Sequence, residues 1–206
     1  MELRTLFILG HIFGAVIGAG AAYQSDLVFL KSLKDKKVDT LELSFLKSMS
    51  VVVWVGLGLL IISGIGLFLL DVPKYSVSSK FIVKMLIVGV IAVNGLFFHL
   101  VHIPFITKRA RRHMRLLSNT EDHEDVKLIL SGIVSVVSWT ATLILGSLPT
   151  VPLKPNIILG IYLAFLWIGT LGSLHVMKHV LNKIARKTIV TVSFGLLGAS
   201  LGLFLI

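Results

Sequence analysis

Two pairs of histidines lie within strongly apolar stretches of this sequence. His99 and His102 occur in GLFFHLVHIPF, and His175 and His179 occur in GSLHVMKHV. On a helix, a separation of three or four residues brings both members of a pair to within about 60° of each other, so each pair presents one face. Neutral imidazole is a ligand for haem iron, copper and zinc. The spacing therefore predicts a cofactor or metal site.

The two histidine pairs are expected at a similar depth, because each lies near the same end of an apolar run and is followed by basic residues. We predict that His99 and His175 are the two axial ligands of a haem iron. The alternative is a copper or other metal ion held by His99, His175, His102 and His179 together. Histidines at this depth also suit the headgroup region of a membrane without any ligand, and His102 and His179 fit that interpretation best.

A second polar locus is expected near the other end of two runs. His11 lies in GHIFGAVIGAG, where Gly10, Gly14 and Gly18 have the spacing that lets two helices approach closely. Lys84 lies in KFIVKMLIVGVIAVNG and either extends to the membrane surface or faces the bundle. In the second case, His11 and Lys84 would together bind an anionic group such as a propionate.

The composition indicates which elements must position these side chains. Of the 206 residues, 55% are hydrophobic and 15% are charged, whereas about 25% of residues in soluble domains are charged. The absence of cysteine excludes disulfides, Fe–S clusters and thiol catalysis. We predict an all-α integral membrane protein, a six-transmembrane-helix bundle formed by a single domain, residues 1–206. The six apolar runs long enough to cross a bilayer are 5–23, 49–70, 81–103, 126–148, 157–177 and 189–206.

The basic residues predict the orientation in the membrane. Most of the 20 lysines and arginines follow the first, third and fifth runs. By the positive-inside rule, loops 24–48, 105–125 and 178–188 are expected to be cytoplasmic, with both termini on the outer side. We expect the cytoplasmic membrane of a bacterium or archaeon. The net charge of +10 is then attributed to topology and to anionic lipid headgroups rather than to nucleic acid.

Two further patterns concern the organisation of the spans. SVVVW at residues 50–54 resembles SVVSW at residues 135–139, which indicates duplicated hairpins, 49–104 and 126–180. Apart from Lys84, the runs are expected to contain no buried Asp, Glu or Arg. Because proton-coupled transporters usually carry an intramembrane carboxylate, this pattern argues against transport.

The segments LFILGHIFGAVIGAG and KFIVKMLIVGVIAVNGLFFH resemble those of the HemJ-type membrane protoporphyrinogen oxidases and the related CopD-like membrane proteins. Those families are small helical membrane proteins with an early histidine and a lysine that opens a later span, and His11 and Lys84 match that pattern. The resemblance covers the first half of the chain. Val93-Asn94-Gly95 stands where the HemJ-type pattern has Tyr-His-Gly, so the resemblance implies a membrane protein that handles haem or a metal.

These observations predict a membrane-embedded b-type haem protein that carries out electron transfer, with a quinone or a redox protein as its partner. The first alternative is a copper or other metal-ion permease. The scattered methionines weaken a route for Cu(I), since they form no methionine-rich motif. The second alternative is an accessory membrane subunit that assembles through its glycine-rich helices, including Gly198 and Gly202.

Overall fold

The computed structural model describes residues 2–35, 38–111, 123–177 and 183–205, and these residues are mainly helical, with no strand among them. The fold class predicted from composition is confirmed. In chain order the helices are α1 Leu3–Asp35, α2 Thr40–Leu70, α3 Val72–Ser76, α4 Ser79–Phe97, α5 Ile103–Arg111, α6 His123–Ser147, α7 Pro155–Val176 and α8 Lys183–Phe204.

Among the described residues, six stretches of helix are long and apolar enough to cross a membrane. Their outer surfaces carry many large apolar side chains, among them Phe13, Phe165 and Phe194 with 61%, 56% and 70% exposure, as expected where lipid covers the protein. The six stretches are Leu3–Ser32, Thr40–Leu70, Ser79–Lys108, Val126–Ser147, Pro155–Val176 and Ala185–Phe204.

The first basic segment, predicted as a loop over residues 24–48, is mostly helical, so the predicted loop is too long. α1 continues to Asp35 and α2 begins at Thr40. The physical reason is a capping box: the Glu42 backbone N–H donates to the Asp39 carboxylate over 2.7 Å, and the Asp39 N–H donates to the Glu42 side chain over 3.3 Å. These bonds satisfy free N–H groups at the start of α2, so a short link suffices.

The third span also continues beyond its predicted end at residue 103, although the next residue is Pro104 and proline usually ends or kinks a helix. A π-helical turn, Phe98–His102, joins α4 to α5, and the Ile103 N–H donates to the Phe98 carbonyl five residues earlier. Proline has no N–H to donate, and the wider turn accommodates its ring. Consequently the beginning of the predicted loop 105–125 is helical, and α8 likewise begins within the predicted loop 178–188.

The closest packing in the bundle joins α1 to α2. A Cβ atom added to Gly14 would lie 2.8 Å from both the Gly56 carbonyl oxygen and the Leu60 backbone nitrogen. The small-residue spacing in α1 therefore serves contact within this chain. α7 and α8 form the other close pair. The duplication of hairpins 49–104 and 126–180 stays a prediction.

Candidate functional site

The clearest polar feature inside the membrane-spanning region is a row of three hydrogen-bonded side chains from three helices. Lys84 Nζ on α4 lies 3.0 Å from His11 Nε2 on α1, and His11 Nδ1 lies 3.0 Å from Ser63 Oγ on α2. Ser63 is buried and the other two side chains are half-buried. Of the two alternatives left open for Lys84, the structure has the one in which its side chain faces the bundle, where it contacts His11 directly.

The hydrogen bonds among these three side chains define which atom donates in each contact. The Ser63 hydroxyl donates to the Leu59 carbonyl oxygen over 2.5 Å, so its oxygen accepts from His11 Nδ1–H. In the neutral imidazole, Nε2 then has no hydrogen and accepts from Lys84. A lysine amine with further N–H groups is thereby held at a fixed position in an apolar region.

His11 and Lys84 lie on the wall of a cavity of about 660 Å³ between α1, α2, α4 and α6. The lining is largely apolar and includes Phe68 and Phe81, whose rings stack with centroids 5.3 Å apart. Trp139, only 2% exposed, forms the inner wall. Ile65 on α2 lines the cavity and is 55% exposed, so the cavity is open to the surroundings of the bundle at this residue.

A second polar layer lies toward the other end of the same four helices. At about 1.5 Å per residue, Asp26 lies about 22 Å along α1 from His11, and His99 lies about 22 Å along α4 and the π-helical turn from Lys84. Ser50 Oγ lies 3.1 Å from His99 Nδ1. The two layers are separated by a buried apolar cluster formed by Ala19, Ala22, Leu57, Leu60, Ile91 and Trp139.

Asn94 and Ser131 join α4 to α6 within this second polar layer. Asn94 Nδ2 donates to the Ser131 carbonyl oxygen over 3.1 Å, and the Ser131 hydroxyl donates to Asn94 Oδ1 over 2.9 Å. An amide in the membrane interior must find such partners, because lipid offers none. Both residues line a small cavity of about 50 Å³ between α1, α2, α4 and α6.

Asp26 corrects the expectation that the spans contain no buried acid. It lies on α1 within the first membrane-crossing stretch and lines the small cavity. Its Oδ2 atom is shielded from solvent and has no hydrogen-bond partner among the described residues. The predicted first run, residues 5–23, stops three residues before Asp26, so the prediction placed this acid outside the span. The segment DLVFL, in which apolar residues resume directly after Asp26, was the signal that the span continues.

The four histidines of the two pairs have different surroundings. His99 is exposed and its Nδ1 lies 3.1 Å from Ser50 Oγ, and His175 is exposed in the last turn of α7. His102 is 0% exposed, with its ring 4.9 Å from that of Phe97. Among the described residues, no three or more His, Cys, Asp or Glu side chains form a group that could hold a metal ion. His179 lies outside the described residues, so the four-histidine metal site stays a prediction.

A b-type haem with two histidine ligands needs both imidazoles to face one cavity. Neither His99 nor His175 lines the large cavity, the small cavity, or a third cavity of about 470 Å³ beside α7. His11 lines the large cavity, but both of its ring nitrogens are engaged by Lys84 and Ser63. These residues fit an oxygen-bearing group better than an iron atom. The axial pairing of His99 with His175 stays a prediction.

No protein-family model, curated protein or solved structure matches this chain.

Proposed function

We propose that this membrane protein binds a flat, largely apolar redox molecule from the lipid phase in the cavity beside His11 and Lys84. The ligand would be a tetrapyrrole or a quinone, both of which carry oxygen acceptors at the edge of a conjugated ring system. The observation that carries the proposal is the 3.0 Å contact between Lys84 Nζ and His11 Nε2 on the wall of an otherwise apolar cavity. The proposal keeps the membrane redox chemistry expected from the sequence and assigns its ligand to the second polar locus.

The size and lining of the cavity support a ligand of this kind. A volume of about 660 Å³ falls within the range of about 300–1,000 Å³ that is usual for small-molecule sites. Such sites combine apolar and aromatic walls with a few convergent polar groups. Phe68, Phe81 and Trp139 supply aromatic surface, and His11 with Lys84 supplies the polar end.

The polar end favours an acceptor group on the ligand. A lysine ammonium has three N–H donors, of which His11 occupies one. The others can donate to a propionate carboxylate or to a quinone carbonyl. Because redox reactions of either ligand class move protons as well as electrons, the Lys84 N–H is suitably placed to pass a proton to that oxygen.

Entry from the bilayer follows from the exposed part of the lining. Val16 on α1 and Met85 on α4 line the cavity and are 64% and 40% exposed, which indicates an opening between α1 and α4. A hydrophobic ligand dissolved in lipid could therefore reach the cavity between these helices without crossing water.

Binding to the detergent-purified protein tests the proposal, with protoporphyrin IX and a short-chain quinone as the two probes and tryptophan quenching as the readout. We expect Lys84→Met to weaken binding of the matching probe roughly 10- to 100-fold, since a hydrogen bond to a charged group contributes about 1.5–3 kcal/mol. Lys80→Met is the matched control, because Lys80 lies one turn earlier on α4 and donates to the Leu148 carbonyl oxygen instead.

The two probes distinguish whether the hydrogen-bond acceptor on the ligand is a carboxylate or a quinone carbonyl. If the porphyrin binds and its dimethyl ester does not, the acceptor is a carboxylate; if the quinone alone binds, it is a carbonyl. Equal affinity of wild type and Lys84→Met for both probes, or no binding of either, would contradict the proposal.

Haem b held by His99 and His175 is a separate hypothesis with its own measurement. A reduced-minus-oxidised visible spectrum of the purified protein should then show sharp α and Soret bands. His175→Ala should lose the low-spin spectrum and His123→Ala should keep it. Metal analysis of a colourless preparation would test the copper permease and the accessory subunit against each other.

A further inference from the structure

We propose that Asp26 is the proton-carrying group of a small intramembrane site, and that Ser50 and His99 connect this site to the surface of the bundle. The proposal does not depend on the ligand at His11 and Lys84. It begins from a carboxyl oxygen, Asp26 Oδ2, that is buried without a hydrogen-bond partner among the described residues. A polar atom in that position costs free energy unless something binds to it.

The surroundings of Asp26 offer no positive charge. The small cavity and the third cavity both contact Asp26, and their lining residues include no lysine, arginine or histidine. Tyr23 on α1 is the other titratable side chain among those residues, and its hydroxyl lies 3.0 Å from Thr140 Oγ1. α2, α4, α6 and α7 present no titratable side chain to either cavity. An isolated carboxylate is very costly there, and binding a proton removes its charge.

The small cavity has room and partners for water. Its volume of about 50 Å³ exceeds the roughly 10–15 Å³ that one water molecule requires. Serine hydroxyls from α1, α2 and α6 line it, so a bound water would find the two to four polar partners that it needs. These serines are Ser25, Ser50, Ser131 and Ser135.

A hydrogen-bonded link leads from this cavity to the outside of the bundle. Ser50 lines the cavity, and its Oγ lies 3.1 Å from Nδ1 of His99, whose ring is exposed. A hydroxyl and an imidazole each donate and accept, so each can release one proton while it receives another. A proton leaving the Asp26 carboxyl group would be taken by water in the cavity, then by Ser50 and His99, with no net charge left on the link.

A sodium ion is the competing occupant. Sodium would need several oxygen ligands, yet Asn94 Oδ1 already accepts the Ser131 hydroxyl hydrogen, and the Ser131 carbonyl oxygen already accepts from Asn94 Nδ2. The geometry therefore favours a proton, and the sodium ion becomes an outcome of the test.

Infrared spectroscopy of the full chain in lipid vesicles provides the experiment, with the C=O stretch of a protonated carboxyl group as the readout. We expect the wild type to show this band at neutral pH in potassium buffer, and Asp26→Asn to lose it. Asp71→Asn, at the end of α2, is the matched control and should keep it. Transfer to D₂O should shift the band, and the shift should be several-fold slower in Ser50→Ala and in His99→Phe.

A second variant, Gly132→Ala, keeps the test usable if Asp26→Asn fails to fold. A Cβ atom added to Gly132 would lie 3.9 Å from Asp26 Oδ1, an ordinary contact that requires no rearrangement. Gly132→Ala should therefore keep the band but change its frequency. The proposal is overturned if the wild type lacks the band, if Asp26→Asn retains it, or if sodium but not potassium removes it. Unchanged exchange in both Ser50→Ala and His99→Phe would overturn the link.

Discussion

The amine nitrogen of Lys84 lies 3.0 Å from Nε2 of His11, although the two residues are 73 positions apart in the sequence. α1 packs mainly against α2 and α6, and α4 packs mainly against α6, so this contact bridges two helices across the large cavity. Ser63 holds the other side of the imidazole. The pair therefore fixes the polar end of the cavity at a definite place.

The first prediction concerns the coupling between these two side chains. We expect His11→Phe and Lys84→Met to be non-additive in the free energy of unfolding, with a coupling of about 0.5–3 kcal/mol, because each change removes the same hydrogen bond. Reversible unfolding in mixed detergent micelles would measure the cycle. Effects of the two substitutions that add within error would contradict the contact.

The second prediction concerns the close approach of α1 and α2. Gly14→Ala should destabilise the protein by about 1–3 kcal/mol, because its new Cβ would lie 2.8 Å from backbone atoms of α2 that cannot move aside. Gly20→Ala is the control on the same helix, where an added Cβ meets nothing within 4 Å. That change should leave stability unchanged or raise it by up to about 1 kcal/mol. Thermal unfolding curves that shift in the same direction for both variants would count against this packing.

The third prediction uses the asymmetry between Asn94 and Ser131. Asn94→Ala removes both hydrogen bonds between these residues, whereas Ser131→Ala keeps the bond from Asn94 Nδ2 to the backbone carbonyl. Since each such bond contributes about 0.6–2 kcal/mol in membranes, Asn94→Ala should be the more destabilising variant. Equilibrium unfolding of both proteins decides it, and the reverse order would show that the amide is oriented differently.

The fourth prediction concerns Trp139, which lines both the large and the small cavity. Trp139→Ala should cost about 3–5 kcal/mol of stability, as for other buried aromatic residues. It should also join the cavities and so hasten deuterium exchange at the Asp26 carboxyl group. Trp54→Ala is the comparison, because Trp54 is half-buried and lines only the small cavity of these two. A similar exchange rate in the two variants would show that Trp139 does not separate the cavities.

Much of the architecture could be predicted from the sequence, because a bilayer constrains its proteins strongly. Long apolar runs must form helices when lipid supplies no hydrogen-bond partners, and the number of runs gave the six spans. The ends of the spans were less predictable. Asp39 and Glu42 form a cap that shortens the first link, and Pro104 is accommodated in a π-helical turn rather than ending its helix.

The sequence by itself determined that this chain is a bundle of six membrane-crossing helices, and it predicted that His11 and Lys84 lie near the same side of the membrane. Hydropathy along the chain carries that information, since it depends on each residue and its near neighbours. Tertiary structure decided which polar groups meet. The rotation of each helix about its own axis determines which side chains face each other. It places Lys84 beside His11, places His99 beside Ser50, and directs Asp26 toward a small cavity lined by serines. Rotation depends on packing between distant segments, such as Gly14 against Gly56, and these contacts exist only in the folded bundle.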